Sequence, residues 1–225
     1  VHPQRLHITL YVEDEHIEEI TYAGLYASAE AVAARLEARG LQPGQTVALM
    51  LPTSRDFFLG FYGILLAGAI PVPIYPPARL SQLEEHLHRQ MRILSNAETV
   101  MLLTVPEAKP LARLLRAQVE KLHRVVTVSE LSADGGTAVR PRVQAHDIAF
   151  VQYTSGSTGN PKGVMLTHAN LLANLQAMGQ AVQITSTDVF VSWLPLYHDM
   201  GLIGAWLGSL YYAYPLVLMS PLAFL

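Results

Sequence analysis

The sequence predicts an α/β fold with mostly parallel sheets covered by helices on both faces. Segments with strand character alternate with segments of helical period along nearly all of the 225 residues. The strand segments are continuous apolar runs, such as TVALML (46–51) and TVMLLT (99–104), the pattern of strands buried on both sides. Composition allows this, because 51% of the residues are hydrophobic and only 15% are charged, enough to fill a large core.

The elements follow in order. HITLYV (7–12) alternates as a strand. Thr21 caps a helix whose Leu25, Ala29, Val32 and Leu36 share one face, and Gly40 with Pro43 stops it. After TVALML, Ser54 opens a helix over about 55–68, and IPVPI (70–74) is a short core strand. Ser81 and Glu84 have capping-box spacing ahead of a stripe of Leu83, Leu87, Met91 and Leu94. Beyond TVMLLT, Pro106 takes the first position of a helix with Leu111, Leu114, Leu115 and Leu122. RVVTV (124–128) reads as a strand, and residues 129–147 lose apolar periodicity, as a surface connection does. IAFVQY (148–153) and GVMLT (163–167) are strands flanking a glycine-rich segment. Thr167 then caps a helix carrying Leu171, Leu172, Leu175, Met178 and Val182. VFVSWL (189–194) is a strand, a helix covers about 199–212, and YPLVLMSP holds the last strand.

Several classes of function are disfavoured. A formal charge of −3 and a pI near 6.3 argue against nucleic-acid binding through phosphate contacts. The chain has no cysteine, which excludes disulfides and thiolate metal sites and suits a reducing cytoplasm. Residues 57–78 and 200–225 carry no charge and are long enough to span a bilayer, but prolines interrupt both, so they read as buried core. No transmembrane segment is expected. His86 and His88 lie two apart on a helix and do not share a face, so no metal-ligating set is assigned there. Arg89 and Arg92 read as a solvated face.

The most informative stretch is YTSGSTGNPKG (153–163). Glycines allow the backbone to approach a ligand closely, and successive amides form a concavity suited to phosphate oxygens. The hydroxyls of Thr154, Ser155, Ser157 and Thr158 add donors. Lys162, one of three lysines in the chain, adds a cation able to follow a polyphosphate. The stretch is not the common phosphate loop, because Gly163 follows Lys162 where Ser or Thr is needed. G-x-G-x-x-G is absent, and neither Ser155 nor Ser157 sits in G-x-S-x-G. The plain alternative is a Gly/Ser-rich surface turn. The ordered run of hydroxyls and glycines ending in Asn-Pro-Lys-Gly between two strands favours the phosphate cradle.

YTSGSTGNPKGVMLTHANLLANL resembles the signature phosphate-binding motif of the adenylate-forming superfamily, which includes acyl-CoA synthetases, peptide-synthetase adenylation domains and luciferases. LPLYHDMGLIG, within residues 192–221, and VALMLPTSRDFFLGFYGILLAGAIPVPIYPP resemble the fatty acyl-AMP ligase branch, which loads acyl carrier proteins. The resemblance covers nearly the whole chain. It implies an ATP- and Mg²⁺-dependent enzyme that activates a fatty acid as acyl-adenylate and releases pyrophosphate. The acceptor would be an acyl carrier protein, or coenzyme A in the rival synthetase reading. A third reading is a non-catalytic nucleotide-binding module. By the same likeness Thr154, Ser155, Gly156, Ser157, Thr158, Gly159 and Lys162 hold the β- and γ-phosphates, and His198 stands catalytically near the junction of acyl group and α-phosphate. Asp199 is read either as a helix cap or as part of the site. Tyr197, Met200 and Gly201 border the acyl tunnel or belong to ordinary core.

The resemblance also implies an incomplete N-terminal adenylation domain, because the motifs for adenine, ribose and Mg²⁺ and the distal lysine normally lie further on. Residues 46–185 would form a first sheet subdomain, and residues 1–45 with 186–225 part of a second. The 225-residue chain alone is expected not to catalyse adenylation. Apolar edges around 189–194 and 215–220 are expected to promote self-association.

Overall fold

The computed structural model describes residues 2–12, 16–76, 83–131, 138–154 and 161–220. It is an α/β structure with three described sheets. The first has the order β2 (Ile17–Thr21), β1 (Leu6–Tyr11), β10 (Leu216–Met219), β9 (Phe190–Ser192); the second β4 (Ile70–Ile74), β3 (Thr46–Met50), β5 (Met101–Thr104), β6 (Arg124–Val126); the third is the pair β7 (Ile148–Thr154) and β8 (Lys162–Thr167).

The second sheet is the simplest to derive. β3 (Thr46–Met50), β4 (Ile70–Ile74), β5 (Met101–Thr104) and β6 (Arg124–Val126) are short, apolar and all parallel. Because side chains alternate along a strand, each strand serves two cores. Val47, Leu49, Met101 and Leu103 join one core with α1 (Tyr22–Ala38) and α2 (Arg55–Leu66). Ala48, Met50 and Leu102 join the other with α3 (Leu83–Asn96) and α4 (Lys109–Gln118). Burial on both faces is the reason these runs lack polar alternation.

The helices start largely where the sequence places them. The Thr21 hydroxyl accepts from the Gly24 amide at 3.1 Å, and Leu25, Ala29, Val32 and Leu36 are buried. Ser54 precedes α2 but does not cap it, because its hydroxyl turns back to the Pro52 carbonyl at 3.2 Å. Ser81 and the side chain of Leu83 lie outside the described residues. Pro106 begins a single 3₁₀ turn (Pro106–Ala108), and α4 starts only at Lys109. Leu122 therefore falls beyond the helix, and Leu114 points outward at 60% exposure. The RVVTV strand stops at Val126, and a short helix α5 (Val128–Leu131) occupies the start of the expected surface connection.

The first sheet closes over long sequence separations. β1 (Leu6–Tyr11) pairs antiparallel with β2 (Ile17–Thr21), a strand the period analysis missed because IEEIT carries two glutamates. On its other side β1 pairs parallel with β10 (Leu216–Met219), which pairs parallel with β9 (Phe190–Ser192). Residues 216–219 are thus an interior strand, not an edge; only β9 presents the expected apolar edge. Trp206 docks the following helix region on α2, where its ring meets Phe57, Phe58, Phe61 and Tyr62 edge-on at 4.7–6.3 Å.

Candidate functional site

The glycine-rich segment is suspended between β7 (Ile148–Thr154) and β8 (Lys162–Thr167), an antiparallel hairpin in an otherwise mainly parallel fold. β7 lies beside β4. Thr154 and Lys162 are direct cross-strand partners, so the two ends of the segment are clamped together. Both are exposed, and no described residue forms an ion pair with Lys162. Ser155, Gly156, Ser157, Thr158 and Gly159 lie outside the described residues.

Below the clamp, any side chain at 163 would crowd Tyr153. A Cβ there would sit 2.9 Å from Tyr153 Cζ and 3.0 Å from Val151 Cγ1, so the tyrosine ring lies directly across the backbone. The Tyr153 hydroxyl donates to Asn96 Oδ1 at 2.5 Å, which anchors the hairpin to the end of α3. Burial raises the Tyr153 pKa, which keeps the phenol protonated as a donor.

A second candidate segment adjoins the hairpin. Gln152 Nε2 donates to the Tyr197 carbonyl at 2.9 Å. The turn at Pro195–Asp199 is closed by His198 N donating to Pro195 O at 3.1 Å, and Leu202 N donates to His198 O at 2.8 Å. Next comes a wide π-type helix, Met200–Leu207, continued by α7 (Gly208–Tyr212). Gly201 lets that helix rest on the turn, because a Cβ would fall 2.4 Å from Pro195 O.

His198 is 70% exposed, with Nδ1 2.6 Å from Asp199 Oδ1. A carboxylate at that distance makes Nδ1 the donor and leaves Nε2 as the outward-facing nitrogen. Asp199 also accepts from Met200 N at 2.8 Å. It is thus the helix cap, one of the two readings the sequence offers, and it also pairs with His198.

Tyr197 and Met200 face different surroundings. The Tyr197 ring lies 6.0 Å from Tyr75, which contacts His86 at 5.1 Å and carries the Arg89 guanidinium 5.5 Å above it. Arg89 is therefore not simply solvated, as expected from sequence. His86 is nearly buried; burial first, and the Arg89 charge second, lower its pKa. Met200 lines an apolar groove of about 360 Å³ with Leu175, Met178, Phe190, Leu194 and Tyr212. The groove lies between α6 (His168–Ala181) and the 200–212 helix region. Gln152 and Tyr75 are the residues that sequence reasoning missed. The single polar side chain ending the apolar run IAFV was the available signal for Gln152.

Among the described residues no group of three His, Asp or Glu side chains is placed to hold a metal ion. No described helix is long and apolar enough to cross a membrane.

The fold of the chain is shared with known proteins. The AMP-binding enzyme family matches residues 2–225, and the chain belongs to that family. The long-chain-fatty-acid–AMP ligase FadD32 of Mycolicibacterium smegmatis is 37% identical over 210 residues, 92% of this chain and 32% of that protein. The medium-chain-fatty-acid acyl-carrier-protein ligase JamA of Moorena producens is 30% identical over 215 residues, 94% of this chain and 36% of that protein. The crystal structure of a fatty acyl-adenylate ligase from L. pneumophila in complex with acyl adenylate and pyrophosphate superposes with a TM-score of 0.84 at 35% identity. That match covers 99% of this chain and 38% of the other. The chain thus spans about a third of the length of the curated relatives it matches.

Proposed function

We propose that the whole protein is a cytoplasmic fatty acyl-AMP ligase, activating a fatty acid at the expense of ATP and passing the acyl group to an acyl carrier protein. The observation that carries this reading is the hydrogen bond from β7 to the Tyr197 carbonyl. It brings the His198 turn beside the strand that enters the glycine-rich segment. Carrier-protein transfer is favoured over coenzyme A by the likeness to JamA, an acyl-carrier-protein ligase. In the proposed layout, residues 46–185 form one sheet subdomain and residues 1–45 with 186–225 part of a second.

The residues present suit a triphosphate. Lys162 is an exposed cation at the foot of a loop whose ends are pinned by the Thr154–Lys162 pair. ATP supplies the adenylyl group and the pyrophosphate leaving group. Thr154, Ser155, Gly156, Ser157, Thr158, Gly159 and Lys162 would hold the β- and γ-phosphates, donating hydrogen bonds and charge as negative charge moves to the departing pyrophosphate. Mg²⁺ would share that neutralisation; no ligands for it are assigned among the described residues. A fatty acid carboxylate oxygen attacks the α-phosphorus, the bond to pyrophosphate breaks, and the acyl-adenylate forms. His198, held by Asp199 through Nδ1, presents Nε2 to the carboxylate's approach. The apolar groove at Met200 would take part of the acyl chain. The carrier's thiolate then displaces AMP from the acyl carbonyl.

The test is ATP–pyrophosphate exchange by the whole protein with a long-chain acid. Lys162→Ala should lower kcat/KM by about 10²–10³, the usual cost of losing one preorganised donor. Unchanged exchange would remove Lys162 from the reaction. Acyl-carrier product without acyl-CoA, separated by thin-layer analysis, would establish the acceptor.

A further inference from the structure

We propose that Gln152 is a positioning residue that sets His198 relative to the glycine-rich loop, an inference resting on the adenylating function proposed above. On β7, side-chain alternation puts Phe150, Gln152 and Thr154 on one face. Phe150 is fully buried and packs on Phe61 at 5.8 Å, so this face begins as apolar core. Thr154 is exposed at the mouth of the loop. Gln152 lies between them, 8% exposed, in a position that Leu or Met would fill if packing were all that mattered.

The amide makes one described bond, from Nε2 to the Tyr197 carbonyl at 2.9 Å across 45 residues of sequence, while Oε1 is buried without a described partner. Burying an amide for a single bond is a poor stability device, because an unmet polar atom is costly in the interior. It is a good geometric device. The Tyr197 carbonyl belongs to the peptide that carries the His198 amide nitrogen. That nitrogen closes the turn onto Pro195, and the turn rests on Gly201 from the other side. The turn is therefore fixed between β7 and the π-type helix. Movement of the β7 end, as Thr154 and Lys162 adjust to a polyphosphate, reaches His198 through this bond.

The test uses the whole protein with ¹³C-labelled histidine, observing the His198 Cε1–H resonance assigned with His198→Gln. Gln152→Met keeps the side-chain volume and removes the donor. Thr46→Val removes a hydroxyl that donates to Ala97 O at 2.6 Å from β3, in a different sheet from β7, and serves as the control. In the free chain, Gln152→Met should shift or broaden the His198 signal and leave the other histidines in place, while Thr46→Val leaves His198 unchanged. Titration with inorganic tripolyphosphate should then move His198 in the parent. In Gln152→Met that displacement should fall at least threefold, with Kd kept within twofold. A His198 resonance unaltered by Gln152→Met overturns the positioning role. Absence of tripolyphosphate binding by the parent instead overturns the phosphate-cradle reading, and the free-chain comparison still decides Gln152. If Gln152→Met fails to fold, Gln152→Asn, too short to reach the Tyr197 carbonyl, is read by the same criteria.

Discussion

The β3–β6 sheet with its helices and the face formed by β8, α6 and β9 are built from similar residues and end in opposite states. α1 buries Leu25, Ala29, Val32, Ala33 and Leu36, whereas α6, of comparable length and apolar period, buries only Leu175 and Gly179. Val164, Met165, Leu172, Val182, Val189, Phe190, Val191, Trp193 and Met200 are all exposed. The difference teaches that a helical or strand period marks a face for burial, while the elements packed opposite decide whether it is covered. In α1 the cover is α2; over α6 much of the face has none among the described residues.

The largest expected effect separates the two regions by stability. Phe61 is fully buried against Phe57, Phe150 and Trp206, so Phe61→Ala should cost about 3–5 kcal/mol in urea unfolding. Leu172, half exposed on α6, should lose less than about 1 kcal/mol on truncation to Ala. Equal losses at the two sites would break the comparison.

A pH effect sharpens it, because the first sheet has a sealed strand as well as an open edge. His7 on β1 is fully buried and stacked 4.4 Å from Tyr22, and neither ring nitrogen has a described hydrogen-bond partner. Burial lowers its pKa to about 4. Between that value and the ordinary 6.5 the unfolded chain binds a proton that the folded chain refuses, so stability rises with pH. The His7 contribution is complete above about pH 6.5 and is lost progressively as pH falls toward 4, by roughly 3 kcal/mol over the window. Urea midpoints at pH 7 and pH 5 should converge in His7→Phe relative to the parent. An unchanged pH difference would mean that His7 is solvated.

Legibility in the sequence followed the same division. β3, β4 and β5 are readable because burial on both faces leaves an uninterrupted apolar run, and β4 falls at Ile70–Ile74, where the IPVPI run predicts it. β2 was not, since Glu18 and Glu19 obscure a strand fixed by pairing with β1. Leu114, Leu172 and Val182 fit helical stripes but are exposed, because the stripe cannot report its cover. At the proposed site, two sequence motifs single out Thr154, Lys162 and His198 as candidates. Gln152 and Tyr75 act through contacts 45 and 122 residues away along the chain, to Tyr197 in both cases, and no local pattern records such a distance.

A smaller effect tests whether the exposed helix depends on local signals. α6 begins with a capping box in which the Thr167 hydroxyl accepts from Asn170 N at 3.1 Å and Asn170 Oδ1 accepts from Thr167 N at 3.2 Å. With little tertiary cover, α6 should rely on this cap for about 1 kcal/mol, measured as a lower urea midpoint in Thr167→Ala. A loss near zero would show that packing alone holds α6.

The smallest expected change in stability belongs to β9, although its effect on association should be the clearest. β9 bonds to β10 on one side and is the outer strand of its sheet, so it leaves a row of backbone donors and acceptors beside exposed Val189, Phe190 and Val191. Such an edge is a template for a second chain, and an inserted lysine blocks it by charge. Val191 is 53% exposed, so Val191→Lys removes little buried apolar area and should move the urea midpoint by no more than about 0.5 kcal/mol. Sedimentation velocity across a concentration series should show the parent sedimenting faster as concentration rises, and Val191→Lys holding a constant value. If both behave as monomers throughout, the open face is tolerated by its own chain and the edge is not what distinguishes the two regions. If both associate equally, the contact lies elsewhere on the exposed surface, and α6 becomes the next place to insert the charge.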